Sequence, residues 1–489
     1  MALSYFVNEG FTNIPYVTTR YWSHKFNEDK ILITTEHGAW VILSKNEFDL
    51  LRCGDLTEDL NLFRNLEEKG IIITENNNDT VVNYYQKRFH HLFNGINLHV
   101  VVPTLRCNHN CLYCHSNSKP MSAKNYDMDE NTAKGIVDFI LQSPASSLTI
   151  EFQGGEPLVN FPIVQYIIEY AKRKNCSKKS DEFGWYVGRK NINFNIVSNL
   201  TLMDEAILDY LIKNKVSINT SLDGPKKLHN KNRKYSGGGS YDKVVYWIDF
   251  IKREKRYPFF GAAMPTITRH SLEYSKEIVD EYMQHSLNSL FLRPLNIAGT
   301  TITAWKKIGY TPEEYIEFWK ESMEYILKTN SQGTLFYNEE TFSILRRIVT
   351  LKPPFNACLG SPCGACLIQA AYNQWGDVYT CDEARSNEIF KLGNTKKDSY
   401  KKVFTSGDAL NFIALTSGKS ALCDACEWSP YCSPCLVSSY GEQNNLISKL
   451  PKDFVCKIRK AQTEYVFKKL IFSENDKKTM LWWLSTRND

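Results

Sequence analysis

Three cysteines at C-x3-C-x2-C spacing, Cys107-Asn-His-Asn-Cys111-Leu-Tyr-Cys114, follow directly on the apolar run LHVVVPT at 98–104. No other feature constrains the chain as much, because thiols this close together in a loop at a strand's end read as ligands of one metal centre. A closed structural zinc site takes four protein ligands, whereas an iron-sulfur cube on three thiolates keeps one iron open. His109, inside the loop, offers the alternative of a fourth zinc ligand.

From Leu98 onward strand and helix patterns alternate. Strands are predicted at 98–104, 148–152, 194–198, 216–222, 259–267 and 289–295, each followed by an amphipathic helical stretch. Six such units with mostly apolar strands predict an α/β fold. Its parallel sheet would be covered on the outer face, as a partial (β/α)6 TIM-like barrel or an open sheet, with active residues at the carboxyl ends of the strands.

The 489 residues are about three times the ~150 of a typical domain, so flanking modules are expected. Residues 1–92 read as a small α+β, winged-helix-like module: a hairpin around a His-Gly turn (30–45), helices over NEFDLLRC and LTEDLNLFRNLEEKG, then a strand at 71–74. A structural cap on the next domain is the alternative. Residues 93–350 form the core, and 351–456 are Cys-, Gly- and Pro-rich with too little periodicity for an ordinary core, so metal is expected to support their fold. Residues 457–489 end the chain as a basic, aromatic helical tail in which Trp482 and Trp483 are candidates to dock on the body. The GGG at 237–239 reads as a loop.

Composition narrows the partners. With 43% hydrophobic and 23% charged residues the chain is globular, and a net charge of +5 over this length leaves no footprint for nucleic acid. No stretch reaches the ~18 apolar residues of a membrane span, and MALSYFVNEG lacks the pattern of a secretion signal, so a cytoplasmic location is expected. The 14 cysteines therefore read as reduced metal ligands rather than disulfides. Cys53 and Cys176 stand apart and are expected to be buried or inert.

The cysteine loop resembles the signature of radical S-adenosylmethionine (SAM) enzymes. That resemblance implies a 4Fe-4S cluster on Cys107, Cys111 and Cys114 whose fourth iron is chelated by SAM. It also implies that Tyr113 packs near the adenine, with simple core packing as the alternative. Gln153-Gly154-Gly155-Glu156-Pro157, after the second strand, is similar to the family's GGEP element, which assigns Gly154, Gly155 and Glu156 to the SAM amino group. Paired glycines suit close backbone approach, and a carboxylate suits an ammonium. Ser198 and Asn199 after strand three, and Ser221 and Asp223 after strand four, resemble positions near the cofactor's ribose and carboxylate; Asp223 has the alternative of capping the next helix. Arg233, in HNKNR, is read as a salt-bridge residue beside them and Arg293 as a pocket residue.

Nine further thiols lie between 358 and 456. Cys366-x9-Gly376-x4-Cys381, then Cys423-x2-Cys426-x5-Cys432 with Cys435 and Cys456, resembles the SPASM domain of peptide-modifying radical enzymes, which binds two auxiliary 4Fe-4S clusters. The resemblance implies one on Cys366, Cys381, Cys435 and either Cys363 or Cys358, and one on Cys423, Cys426, Cys432 and Cys456. Only Ser433-Pro434 separates Cys432 from Cys435, where the family has three residues. A pair of zinc-ribbon sites is the alternative. Asp382 follows Cys381 where sulfatase-maturating relatives carry an acid-base residue, with an exposed surface charge as the alternative reading.

The runs LHVVVPTLRCNHNCLYC, YDMDENTAKGIVDFI, TIEFQGGEPLVNF and CGACLIQAAYNQWGDVYTCDEAR are most similar to the His-Xaa-Ser system maturases. This implies reductive cleavage of SAM to methionine and a 5′-deoxyadenosyl radical, hydrogen abstraction from a small ribosomally made precursor peptide, and an intramolecular crosslink. The implied partners are that peptide, held by its leader on the N-terminal module, a one-electron reductant such as flavodoxin or ferredoxin, and a second maturase. Two other functions remain open: oxidation of Cys or Ser in a protein to formylglycine, and a zinc-stapled binding protein without catalysis.

Overall fold

The computed structural model describes residues 7–8, 16–56, 59–176, 189–254, 257–353, 357–417, 421–447 and 453–487. At its centre is an eight-stranded sheet. We label its strands β1 (Leu98–Thr104), β2 (Ser147–Gly154), β3 (Asn191–Val197), β4 (Val216–Ser221), β5 (Phe260–Met264), β6 (Gln369–Tyr372), β7 (Asp377–Tyr379) and β8 (Lys391–Asn394). Their spatial order is β5-β4-β3-β2-β1-β6-β7-β8. β1 to β5 run parallel, and β6 joins β1 in parallel before folding back through the antiparallel strands β7 and β8. The first five expected core strands are therefore present.

Sequence and sheet position agree in detail. β1 is flanked on both sides, and its near-continuous apolar run is buried from His99 onward, as expected of a strand in the middle of a parallel sheet. In β3 and β4 burial alternates, so Phe194, Ile196, Val216 and Ile218 face the helices while Asn195, Ser217, Asn219 and Ser221 line the half-open inner face. The outer helices start on designed caps: Asp129 accepts from Thr132 N, and Asp204 from Ile207 N.

The sixth expected strand does not enter the sheet as a ladder. Only Ser289–Leu290 is extended, paired in parallel with Tyr337–Asn338, and a single bridge joins Arg293 to Thr266. Pro294, which cannot donate to a ladder, follows that bridge directly.

In the N-terminal region the expected hairpin (Lys30–Thr35 and Trp40–Leu43) gains Tyr21–Asn27 as an edge strand, whose polar, alternating residues hid it. Ile72–Ile73 pairs instead with Tyr16–Thr18, in a separate small sheet. The polar run after Thr74 leads into a helix, Asn78–Phe89. The edge strand docks on the C-terminal cysteine region. Arg20 pairs with Asp424 at 2.7 Å, Trp22 Nε1 donates to Asp424 O, and His24 meets Glu427 at 3.0 Å.

The tail forms two helices, Phe454–Phe472 and Glu474–Thr486. The first begins ahead of Cys456, so that thiol and the tail share one helix. Trp483 is fully buried and its Nε1 donates to Asn330 Oδ1, whereas Trp482 is half-exposed. Cys53 and Cys176 are both exposed, which corrects the expectation of burial; they end surface helices. No described helix is long and apolar enough to cross a membrane.

Candidate active site

The cysteine loop leaves the carboxyl end of β1 and is clasped from both sides. His109–Cys111 pairs antiparallel with Arg233–Tyr235, and His109 stacks on Tyr235 at 4.9 Å between ring centroids. From the other side Thr300 donates to Cys114 O through both its N–H and its hydroxyl, and Thr301 Oγ1 donates to Tyr113 O. The first clasp contains Arg233 of the HNKNR segment; the Thr300–Thr301 clasp carried no motif. The three thiols sit together: burial first, then the Glu156 charge and the other two thiols, pushes Cys107 up, and burial raises Cys111 to about 11. His109 is turned into the Tyr235 stack with Nε2 unpartnered and held neutral by burial, its ring nitrogen pushed down to about 3.

The glycines of the second motif have a steric reason. A Cβ on Gly155 would lie 2.3 Å from Arg106 O and 2.4 Å from Leu105 O, and one on Gly154, at φ +142°, would lie 2.3 Å from Thr104 O. The motif backbone therefore packs directly on the stem of the cysteine loop, with Gly155 N donating to Thr104 O and Glu156 N to Arg106 O. Glu156 is buried, and its carboxylate already accepts from Ser198 Oγ (2.8 Å), Asn199 N (2.7 Å) and Leu158 N (3.1 Å). Asn199 in turn donates to Asn108 Oδ1 and accepts from Thr201. Ser198 and Asn199 thus spend most of their polar atoms tying strand three to Glu156 and to the cysteine loop.

A buried triad lies beneath the loop. The Tyr113 hydroxyl is 2.8 Å from both Asp223 oxygens, and Arg233 Nη1 donates to that hydroxyl at 2.8 Å. Burial raises Asp223 to about 6 against the pull of Arg233 and Tyr113. Asp223 does not cap the following helix, whose cap position is Pro225 without a side-chain bond. Ser221 ends β4, half-buried on its inner face.

Across the mouth of the sheet, residues from the C-terminal region close the site. Asp382 is far from an exposed surface charge. Arg385 Nε donates to it at 2.7 Å, and His115 Nε2 lies 3.5 Å from its other oxygen. Burial alone would raise this carboxyl, but Arg385 and His115 outweigh it and hold it well below the usual carboxylate range. Arg385 also donates to Ser116 Oγ (2.7 Å) and reaches Gln153 Oε1 (3.5 Å). Glu383, also buried, pairs with Arg293 and accepts from Asn296. Arg293 thus clamps the end of the core to the segment after Cys381. On the inner face Glu151 accepts from Gln153 Nε2 at 2.7 Å, and burial pushes its carboxyl up. His115, Arg385 and Glu151 were not singled out from sequence; His115 stood next to Cys114, the one available signal.

The remaining thiols fall into two sets. Cys381 is pushed up by burial and then by Cys358, Cys363 and Cys435; Cys363 reaches about 12 from burial with Cys358 and Cys435 adding to it. Both candidates for the ambiguous position therefore lie by Cys381, while Cys366 is influenced by Cys363 among the thiols. Burial followed by Cys432 and Cys426 among its neighbours raises Cys456 to about 12, and Cys423 acts on Cys432. Of these thiols Cys366, Cys381 and Cys426 are buried and Cys358 is exposed; a cationic metal core would make thiolates of thiols that burial keeps from ionising alone.

Residues 101–281 match the family model described as the radical SAM superfamily, spanning the cysteine loop, the glycine motif and the triad. The chain is a radical SAM superfamily enzyme. As such it uses a 4Fe-4S cluster with SAM, and the reading as a non-catalytic zinc-stapled protein is set aside. Among curated proteins, the radical SAM enzyme is 25% identical over 380 residues to the cysteine-type anaerobic sulfatase-maturating enzyme of Clostridium perfringens, covering 76% of this chain and 96% of that protein. It is 24% identical over 263 residues to the radical SAM cyclopropyl synthase TigE of Paramaledivibacter caminithermalis, covering 50% of this chain and 51% of TigE. Among solved structures, native anSMEcpe with bound AdoMet shares the fold at a TM-score of 0.63 and 22% identity, over 76% of this chain and 98% of that one. Streptococcus suis SuiB bound to precursor peptide SuiA shares it at 0.53 and 15% identity, over 89% and 100%.

Proposed function

We propose that this radical SAM enzyme matures a small ribosomally made peptide by installing an intramolecular crosslink, as part of a His-Xaa-Ser type system. The observation that carries the reading is the Asp382-His115-Arg385 constellation, with Arg385 buried and the other two half-buried, set between the cysteine loop and the second thiol field at the mouth of the half-open sheet. The fold shared with SuiB reaches 89% of the chain, against 76% for anSMEcpe, so it takes in more of the flanking regions.

In this reading Cys107, Cys111 and Cys114 hold the SAM-binding cluster. Gly154, Gly155 and Glu156 shape the amino-group pocket, and Ser198, Asn199, Ser221, Asp223, Arg233 and Tyr113 frame the rest of the cofactor site. Cys358, Cys363, Cys366, Cys381 and Cys435 supply one auxiliary cluster and Cys423, Cys426, Cys432 and Cys456 the other. When bound, the cofactor supplies a 5′-deoxyadenosyl radical that removes a hydrogen atom from the substrate. The chain's own residues then do the remaining work. Closing the new bond releases one proton and one electron from the substrate radical: Asp382, kept ionised by Arg385 and His115, would receive the proton and pass it on through His115 beside it, and the electron would go to the auxiliary cluster proposed on the neighbouring thiols. Gln153, Glu151 and Asn195 line the half-open face with polar groups that orient a substrate side chain. The N-terminal region holds the leader as an added strand, and a flavodoxin- or ferredoxin-like donor supplies electrons.

The test is anaerobic reconstitution with candidate small peptides encoded beside the gene. A product lighter by two hydrogens, with internal fragmentation suppressed in tandem mass spectrometry, is expected. Formation of 5′-deoxyadenosine with every such peptide unchanged would overturn the reading. Deleting residues 1–90 should weaken peptide binding; unchanged affinity would remove the leader role.

A second reading, oxidation of a Cys or Ser to formylglycine, is favoured by the match over 380 residues to the sulfatase-maturating relative and by Asp382 standing directly after Cys381. Fragmentation separates the two, since an oxidised residue leaves internal cleavage intact.

A further inference from the structure

The turn between β6 and β7 holds a large apolar side chain out in solvent. Trp375 is 46% exposed, although the turn beneath it is well fixed, with Trp375 N and Asp377 N both donating to Asn373 Oδ1 at 3.0 Å. Its ring leans on Tyr126 at 5.5 Å between centroids, and Lys119 Nζ lies 5.4 Å from the centre of that same tyrosine ring. Met121, 41% exposed, belongs to the compact segment that joins Lys119 to Tyr126.

Cations surround this apolar centre. Lys124 opens the short helical turn that ends in Tyr126. Lys396 and Lys397 stand on a turn whose Asn394 Nδ2 donates to Trp375 O at 3.3 Å. Lys124, Lys396 and Lys397 are exposed, and neither they nor Lys119 enter an ion pair among the described residues. The neighbouring carboxylates are engaged elsewhere: Asp127 with Arg106 at 2.5 Å, Asp129 in the cap of its helix, Asp377 with Lys391 at 2.8 Å and Asp398 with Lys402 at 2.7 Å. Glu130, exposed in the first turn of its helix, is the exception. An exposed Trp and Met at the centre with charge on the rim is the make-up of a protein-docking surface, and rim lysines steer an acidic partner onto it.

This face lies directly behind the cysteine loop. Lys119 N donates to Leu105 O at 2.7 Å, and Lys119 O accepts from Cys107 N at 2.9 Å. The hydroxyl of Ser118, next to it, is 3.5 Å from Cys114 Sγ. Because β6 runs parallel to β1, the Trp375 turn and the cysteine loop leave the same end of the sheet.

We propose that this face is where the electron donor docks: an acidic carrier protein with a low-potential one-electron centre near its surface. The inference rests on the proposed use of such a donor and adds its place of entry, at the loop of Cys107, Cys111 and Cys114 rather than at the C-terminal thiols. Each encounter passes one electron from the reduced carrier, which is thereby oxidised, to the cluster proposed on those three thiols, which is reduced; no atom moves with it. Electron transfer falls steeply with distance, which favours a face one chain segment removed from the thiols. Association is fast and weakens as salt screens the lysines.

The experiment is binding calorimetry on anaerobically reconstituted full-length enzyme with two probes, an oxidised flavodoxin and an oxidised ferredoxin. One of the two is expected to bind wild type, and more weakly as salt is raised. Trp375→Ala and the double variant Lys119→Glu with Lys396→Glu should each weaken that binding about tenfold or more. Lys478→Glu, an exposed charge on the tail, should not. With limiting reduced donor, 5′-deoxyadenosine formation should slow alongside in the patch variants, while the rate with dithionite stays at the wild-type value. Unchanged donor affinity in both patch variants would overturn the inference. So would a loss of precursor-peptide binding in those variants with donor binding intact, which would assign the face to the peptide. If neither carrier binds wild type while dithionite still drives SAM cleavage, the external-donor reading fails and the inference falls with it.

Discussion

The Tyr113 hydroxyl stands 2.8 Å from both oxygens of Asp223, joining the cysteine loop to the end of β4 through one buried hydrogen bond. Asp223 titrates at about 6, raised by burial and restrained by Arg233 and Tyr113. Its folded pKa lies above the unfolded one, so its contribution to stability is complete below ~4 and is lost as pH rises through about 6. Tyr113→Phe removes a restraining donor. The loss is expected to move this inflection to higher pH and to cost ~1.5–3 kcal/mol at neutral pH, read by urea unfolding across pH 4–8.

Asp382 is predicted to matter to the product and not to SAM cleavage. Asp382→Asn keeps the shape but not the charge that Arg385 and His115 hold ionised. Peptide turnover should fall ~10²–10⁴-fold while 5′-deoxyadenosine still forms and iron content is unchanged. Because this carboxyl is held so low, wild-type turnover should show no inflection from it between pH 5 and 8.

Gly155→Ala places a methyl 2.3 Å from the Arg106 carbonyl. The loop stem must shift, at a cost of ~1–3 kcal/mol, and weaker SAM binding by calorimetry is expected along with a lower melting temperature.

Trp483→Ala empties a fully buried site and deprives Asn330 of its indole donor. A destabilisation of ~3–5 kcal/mol is expected. A change below 1 kcal/mol in denaturant titration would show that the tail is an appendage.

Much of this was written in the chain. The thiols at 107, 111 and 114, the paired glycines and the runs of β1 to β5 were legible because each is local: a spacing, a turn, a period. Tyr21–Asn27 was not, because an edge strand with alternating polar residues carries little apolar signal. His115 and Arg385 were hidden for a different reason. Their significance comes from partners hundreds of residues away, which a linear pattern does not record. Asp223 was legible as a site residue, and the alternative that it caps the next helix does not hold, since Pro225 occupies that cap position.

The docking of the Tyr21–Asn27 strand on the Asp424–Glu427 segment has a consequence for how the chain is made. Arg20, Trp22 and His24 reach partners synthesised about 400 residues later, a separation that delays their pairing until most of the chain has left the ribosome. Until then Trp22 and its neighbours on that edge strand have no partner to cover them. Cys423 and Cys426 flank that landing segment, so closure of the amino-terminal region waits for the stretch of chain that brings these two thiols.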